Sequence, residues 1–454
     1  MTTLYSARWV LPISAAPIED GALTIDGALI TGLGSRVELA GQFPEANLRS
    51  FGEAAIVPGF VNAHSHLELT AMRGYLDNEE NDFFAWLKKL TTARLERMTA
   101  DDLYVSAAWG ACEALRAGVT CVADASDAAA ESMRALIDAG MRGTVFQESF
   151  GPDPKLAREN FAKLTAKISQ LRRLETPLVR VGVSPHAPYT VCPPQLEMIS
   201  EFALAEKLPV MMHAAESGAE QMLLREGLGT FADGFARRDI EWRAPGVSTI
   251  QHLARHGVLR TRPLLAHCIN VDHADIEIIA ETGASIAHCP KSNAKLGHGR
   301  APFAAFLDRK IAVGLGSDSV ASNNTCDLLD EARFALLLSR SGPALAGRER
   351  MVGASDVLHA ATMGGARAIG LEEEIGELRV GSQADLTVLS LEGTHQLPSY
   401  DPASTLIFSS SGRDVILTAV AGRELYRDGR ISGMDEERLR ARMKEIAKKL
   451  ELGS

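Results

Sequence analysis

Between residues 59 and 368 the chain alternates short apolar runs with longer segments of helical periodicity. The runs are GFVNAH, GVTCVADA, GTVFQE, VRVGVSPH, PVMMHA, LLAHC, ASIAHC and AVGLGSD. They are apolar nearly throughout rather than alternating, as parallel strands buried on both faces are. Eight strands in series is the number that closes a barrel, so the predicted fold class is α/β, a (β/α)8 TIM-like barrel over residues 58–368. A doubly wound open sheet is the alternative.

The flanks follow a different pattern. Residues 1–57 contain ALTIDGALITGLG and AAIVPG, short stretches broken by glycine corners. GELRVGSQADLTVLS and DVILTAVAGRELYRDG repeat that texture near the other end. The prediction is one small β-sandwich domain built from both chain ends, residues 1–57 and 369–433. Residues 434–454, with DEERLRARMKEIAKKL, read as a C-terminal surface helix.

A net charge of −11 argues against a general nucleic-acid binder, while leaving a small nucleoside open as a ligand. The first residues have no signal-peptide pattern, and no apolar stretch is long enough for a membrane span. Six scattered cysteines without a CxxC pair read as reduced, buried thiols. A cytoplasmic protein that does not bind membrane is therefore expected; a homodimer is compatible with all of this.

Chemistry changes the picture more. The runs end in or beside His64, Asp124, Glu148, His186, His213, His267, His288 and Asp318, the face where a barrel assembles its site. His64 and His66 lie two residues apart on an extended strand, so both imidazoles point to one side and can reach one ion. Glu216 follows His213 by three residues and can stand beside that ion without ligating it, as a general acid/base does. Taken singly, these residues could be a packed histidine, a solvated carboxylate and, for Asp318, a helix cap. Taken together they sit at the ends of runs one, five and eight.

VPGFVNAHSH, HAAE, LLAHC, GSDSVASNN and the late GELRVGSQADLTVL resemble the amidohydrolase superfamily, in its branch of cytosine- and adenosine-type deaminases and triazine hydrolases. The resemblance runs over nearly the whole chain. It implies one divalent ion, Zn²⁺ or Fe²⁺, on His64, His66, His213 and Asp318. It further implies Glu216 as proton shuttle and His267 as the residue orienting the bound hydroxide. Such a donor set leaves a position for water, whose pKa falls to about 7 on binding. Glu216 would protonate a ring nitrogen while hydroxide attacks the adjacent amine-bearing carbon, and Asp318 would take the hydroxide proton as ammonia leaves. A two-metal amidase would add a carboxylated lysine at an early strand end; here that run ends in Gln147-Glu148, which favours one metal.

For substrate contacts the expectations are His186, Glu68, Trp86 and Ser322, each with a plainer role open to it. His288 is assigned to structure. Histidines 252, 256, 273, 298, 359 and 395 fall in no motif. HSHLELTAMRG, with Glu68 two residues past His66, resembles the aminodeoxyfutalosine deaminases of the menaquinone route. So does the long stretch between His213 and His267, which is read as a helical lid or rim. The expected activity is deamination of a 6-aminopurine nucleoside, aminodeoxyfutalosine first. Adenosylhomocysteine or methylthioadenosine deamination, guanine deamination and triazine dechlorination are alternatives, and an inactive barrel acting as a binding protein is the alternative of another class.

Overall fold

The structure is a computed structural model that describes residues 2–341 and 350–452, so residues 453–454 of the expected terminal helix lie outside the described residues. The eight apolar runs are the eight strands β1 (Phe60–Ser65), β2 (Val119–Ser126), β3 (Arg142–Ser149), β4 (Val179–Pro185), β5 (Met211–Ala214), β6 (Leu264–His267), β7 (Ser285–His288) and β8 (Val313–Leu315). All neighbours pair in parallel, β1 to β4 in one sheet and β5 to β8 in another. Two parallel bridges, Val183–Val210 and Ser65–Asp318, close the sheets into a cylinder. The β8 side of that second seam is tight. A Cβ on Gly316 would lie 2.8 Å from His64 Cβ and 2.9 Å from Cys289 Sγ, so only glycine lets the last strand pass the first.

Inside the cylinder, Ala63, Ala123, Ala125, Ala266 and Ala287 surround Phe146 and Met211. Small side chains on most strands leave room for the large ones, Phe146, Met211 and Leu264. The helices that shape the site are α1 (Phe83–Arg97), α2 (Ala100–Arg116), α3 (Thr230–Ala236), α4 (Pro290–Lys295), α5 (Val320–Asn323) and α6 (Glu436–Glu451). Asp82 caps α1 through the Ala85 amide, and Thr99 with Asp102 forms a reciprocal capping box on α2. The terminal helix α6 buries Leu439, Ile446 and Leu450 along one stripe, and Lys449 and Arg442 pair with Asp102 of α2.

The two chain ends form one sheet. Nine strands join in it, with Leu386–Ser390 antiparallel to Ala54–Pro58 as the seam between the halves. The third strand, Leu29–Ser35, turns back on residues 381–384 through hydrogen bonds of Ile30 to Ser382 and of Ala384 to Ala28. Leu23, Ile25 and Ile30 thereby share a core with Leu386, Val388 and Leu417. The predicted sandwich is thus a single hydrogen-bonded sheet folded on itself. Arg142, at the start of β3, clamps it to the barrel: Nε and Nη2 donate to Asp385 at 2.9 and 3.1 Å, both side chains being almost fully buried. All six cysteines are buried and unpaired. No helix among the described residues is long and apolar enough to cross a membrane.

Candidate metal centre and substrate cavity

At the C-terminal mouth of the barrel the strand ends bring five ligand-type side chains together. Ligand atoms of His64, His66 and His213 lie within 4.8 Å of one another, and so do those of His64, His267 and Asp318. Asp318 Oδ1 is 3.4 Å from His64 Nε2 and 3.6 Å from His66 Nε2. The chain bends sharply to achieve this: Ala215, His267, Cys268 and Asp318 all have φ between +46° and +72°. Non-glycine residues in that region cost about 1 kcal/mol or more each and persist where the surroundings hold them. Here the holding is visible. The Asp318 amide donates to the His64 carbonyl at 2.9 Å, and the Cys268 and Ile269 amides donate to the carbonyls of Ala214 and Ala215.

The donor set fits a cation. His213 Nδ1 lies 2.9 Å from the His186 carbonyl, which can only accept, so His213 Nε2 is bare. The His66 ring donates to the Ala125 backbone, leaving its Nε2 bare as well. These two nitrogens face each other at 3.2 Å, an arrangement that repels unless a positive charge sits between them. His64 Nε2 is buried without a hydrogen-bond partner. Burial first, then neighbouring imidazoles, push His66 down to about 3 and His213 well below its ordinary value, so both are in the neutral, metal-binding form. Burial pushes the Asp318 carboxyl up, but its contact with His64 and the imidazoles of His267 and His66 around it hold it well below the usual carboxylate range.

A layer behind these groups fixes them. Asp124 Oδ1 accepts from Ser65 Oγ at 2.9 Å and from the Leu67 amide at 2.7 Å, pinning the loop on either side of His66. Helix α4 presents two consecutive residues to different groups: Ser292 Oγ donates to Asp318 Oδ2 at 2.5 Å, and Asn293 Oδ1 lies 2.9 Å from His267 Nδ1. Ser322, expected at the substrate, is turned the other way. It is absent from the cavity wall and donates to Asp318 Oδ2 at 2.9 Å, because the short helix α5 points its hydroxyl back at the strand end; Ser319 lines the cavity instead.

Glu216 stands beside the cluster, its Oε1 3.6 Å from His267 Nε2 and 3.9 Å from His298 Nε2. Tyr189 Oη donates to its Oε2 at 2.8 Å. Burial and the charge of Asp318 push its pKa up to about 8, against the opposing pull of Tyr189. Glu216 is therefore shifted toward its protonated form. Neither Tyr189 nor His298 was among the predicted site residues. Tyr189 lies in the SPHAPYT stretch that singled out His186, whereas His298, which packs edge-on at 4.5 Å against Phe83, follows no recognisable signal.

The centre opens into a cavity of about 810 Å³. One wall is aromatic: Phe83, Phe84 and Trp86 from α1, Tyr189, and Phe231 and Phe235 from α3, within the stretch predicted as a rim. Trp86 is buried and stacks on Phe83 at 6.1 Å. The other wall is charged, comprising Glu68, Arg94, Asp127, Glu148 and His186. Glu68 faces the cavity with one oxygen committed to the Ser126 hydroxyl and, at 2.8 Å, to the Ala128 amide, while Arg94 Nη1 lies 3.7 Å from the other. Arg94 also pairs with Asp127 at 2.8 Å. Burial, with Glu68 and Asp127 near, holds Glu148 well above the ordinary carboxylate value. His288 stacks on Phe303 at 5.2 Å, away from the cavity lining.

Residues 55–425 match the model of the amidohydrolase family. A 5-methylthioadenosine/S-adenosylhomocysteine deaminase of Symbiobacterium thermophilum is 34% identical over 453 residues, covering 97% of each chain. One from Syntrophobacter fumaroxidans is 32% identical over 437 residues, covering 95% of this chain and 93% of the relative. Among solved structures, an adenosine deaminase of Xanthomonas campestris with bound zinc has a TM-score of 0.86 at 28% identity, covering 99% of this chain and 98% of the other. A zinc complex of atrazine chlorohydrolase from Arthrobacter aurescens has a TM-score of 0.84 at 24% identity, covering 98% and 100%, a likeness of fold.

Proposed function

Because the chain belongs to the amidohydrolase family, we propose that it hydrolyses the exocyclic C–N bond of a 6-aminopurine nucleoside bearing a substituent on its 5′ carbon. The observation that carries this reading is Glu216, buried and pushed up toward its protonated form, beside the His64, His66, His213 and Asp318 cluster at the base of a cavity of about 810 Å³. A cavity that large, with an aromatic wall and a charged wall, suits a base joined to a polar extension better than a free base. Bound there, a divalent ion, zinc in this reading with iron as the alternative, supplies Lewis acidity and an acidified water.

The protein's own groups do the rest. Glu216 donates its proton to the ring nitrogen next to the amine-bearing carbon. Asp318, held ionised, takes a proton from the attacking water and passes it toward the departing ammonia. His267, its Nδ1 engaged by Asn293, keeps Nε2 turned toward Glu216. The ring of Trp86 and its aromatic neighbours cover the base. Water and amine become carbonyl and ammonia.

The names of the full-length relatives make 5′-thio-substituted adenosines the first substrates to try. Aminodeoxyfutalosine is the second reading, favoured by Glu68 in HSHLE and its pairing with Arg94. The test is ammonia release by zinc-loaded protein from methylthioadenosine, adenosylhomocysteine, aminodeoxyfutalosine, adenosine, guanine and a chlorinated triazine. A 5′-substituted nucleoside is expected to exceed adenosine in kcat/KM by about 10²-fold. Glu216→Gln is expected to keep the metal and lose about 10² to 10⁴-fold in turnover. A clear lead for guanine or the triazine overturns the nucleoside reading, and absence of both metal and turnover points to an inactive binding protein.

A further inference from the structure

On the charged wall nearly every carboxylate oxygen is spoken for except at Glu148. Asp127 pairs with Arg94 and Lys167, and Glu68 is tied to Ser126, Ala128 and Arg94. Glu148, at the end of β3, is 7% exposed, and its Oε1 has no hydrogen-bond partner. Across from it, 3.9 Å away, is His186 Nε2. Its other ring nitrogen, Nδ1, is held at 2.9 Å by Thr190 Oγ1, so Nε2 is the ring atom turned to the cavity. Glu148 Oε1 and His186 Nε2 thus face one another across a gap too wide for a hydrogen bond and wide enough for a hydroxyl lying beside both.

Resting on the nucleoside reading above, we propose that Glu148 and His186 together bind a pair of neighbouring sugar hydroxyls, and that Glu148 is the residue that makes the enzyme select a ribose over a deoxy sugar. One hydroxyl donates to Glu148 Oε1, which accepts in either protonation state of the carboxyl; the other hydrogen-bonds to His186 Nε2. A second metal ion is the competing occupant, since Glu148, His186 and His213 also lie within 4.8 Å of one another. His213 has only one lone pair, on the Nε2 that faces His66 across the first site, so a second ion would find just two protein ligands, fewer than the three a catalytic site keeps.

The test compares kcat/KM of zinc-loaded protein on 5′-methylthioadenosine and on its 2′,3′-dideoxy counterpart, for the wild type, Glu148→Gln and Glu148→Ala. Loss of both hydroxyls is expected to cost the wild type about 10- to 100-fold, mainly in KM, the scale of hydrogen bonds to a buried charged or strongly polar group. Glu148→Ala is expected to lose a similar factor on the ribonucleoside and a much smaller one on the dideoxy analogue. Glu148→Gln, which keeps an acceptor oxygen, retains part of the preference. A wild type that treats both nucleosides alike overturns the inference and leaves the proposed function standing, whether or not the variants fold. Ammonia from neither nucleoside, nor from adenosylhomocysteine or aminodeoxyfutalosine, overturns the proposed function and the inference with it. Elemental analysis giving two ions in the wild type and one in Glu148→Ala assigns Glu148 to a cation and refutes the sugar contact.

Discussion

Replacing Tyr189 by phenylalanine removes one hydroxyl and leaves the ring where it is, stacked at 4.3 Å on Phe231 and edge-on to His186. The hydroxyl is the group that donates to Glu216 Oε2 at 2.8 Å. Burial and Asp318 push Glu216 up to about 8, and Tyr189 pulls the other way by favouring the charged form. A hydrogen bond to a charged group contributes about 1.5–3 kcal/mol. At 1.36 kcal/mol per pKa unit, its loss raises Glu216 by about one to two units. The sign follows from the role: the reaction uses the proton on Glu216, so wild-type kcat/KM falls as pH rises through about 8. In Tyr189→Phe the same fall comes about one to two units later. Ammonia release by zinc-loaded protein, followed from neutral to strongly alkaline pH, reads the shift directly. An alkaline limb that stays in place in a folded Tyr189→Phe protein refutes the assignment of that limb to Glu216.

Alanine at His64, His213 or Asp318 lowers the metal held after dialysis, and a chelator removes metal and activity from the wild type together. Elemental analysis is expected to give one ion per chain, and two tightly held ions would contradict the single-site geometry. Asp385→Ala leaves the Arg142 guanidinium buried without its bidentate partner, a loss of about 3–5 kcal/mol in denaturant unfolding. A change below about 1 kcal/mol would show that the clamp between sheet and barrel is dispensable.

Much of this was legible along the chain because of where barrel strands end. Parallel strands announce themselves as unbroken apolar runs, and the polar residue closing each run is at the mouth by construction. His64, His66, His213, Glu216 and Asp318 could therefore be named from position and residue type. What lay out of reach depends on how loops from different strands meet. Tyr189 reaches Glu216 from the loop after β4, and Asn293 reaches His267 from α4; neither pairing leaves a trace in spacing. Ser322 misled for a related reason. It lies on a four-residue helix that starts two residues after Asp318, whose φ is +56°, and the direction in which such a helix aims a hydroxyl is not supplied by any composition rule. His298 is the hardest case, reaching the site only because the chain after α4 folds back over Phe83. At the chain ends, alternation foretold strands but not that they would share one continuous hydrogen-bonded sheet.

The seam between β1 and β8 has a bearing on how the protein is made. Asn62 and Ser317, which hydrogen-bond across it, are 255 residues apart, and Asp318 donates to the His64 carbonyl at the same place. On a ribosome, His64 and His66 emerge early and wait through most of synthesis before the carboxylate they share exists. The group of His64, His66, His213 and Asp318 is complete only once β8 lies against β1, with Gly316 passing His64. Completing the donor set and closing the cylinder therefore depend on the same strand. A nascent chain stalled short of Asp318 would have neither a finished wall nor a cofactor, and quality control would meet it as an unzipped sheet rather than an empty enzyme.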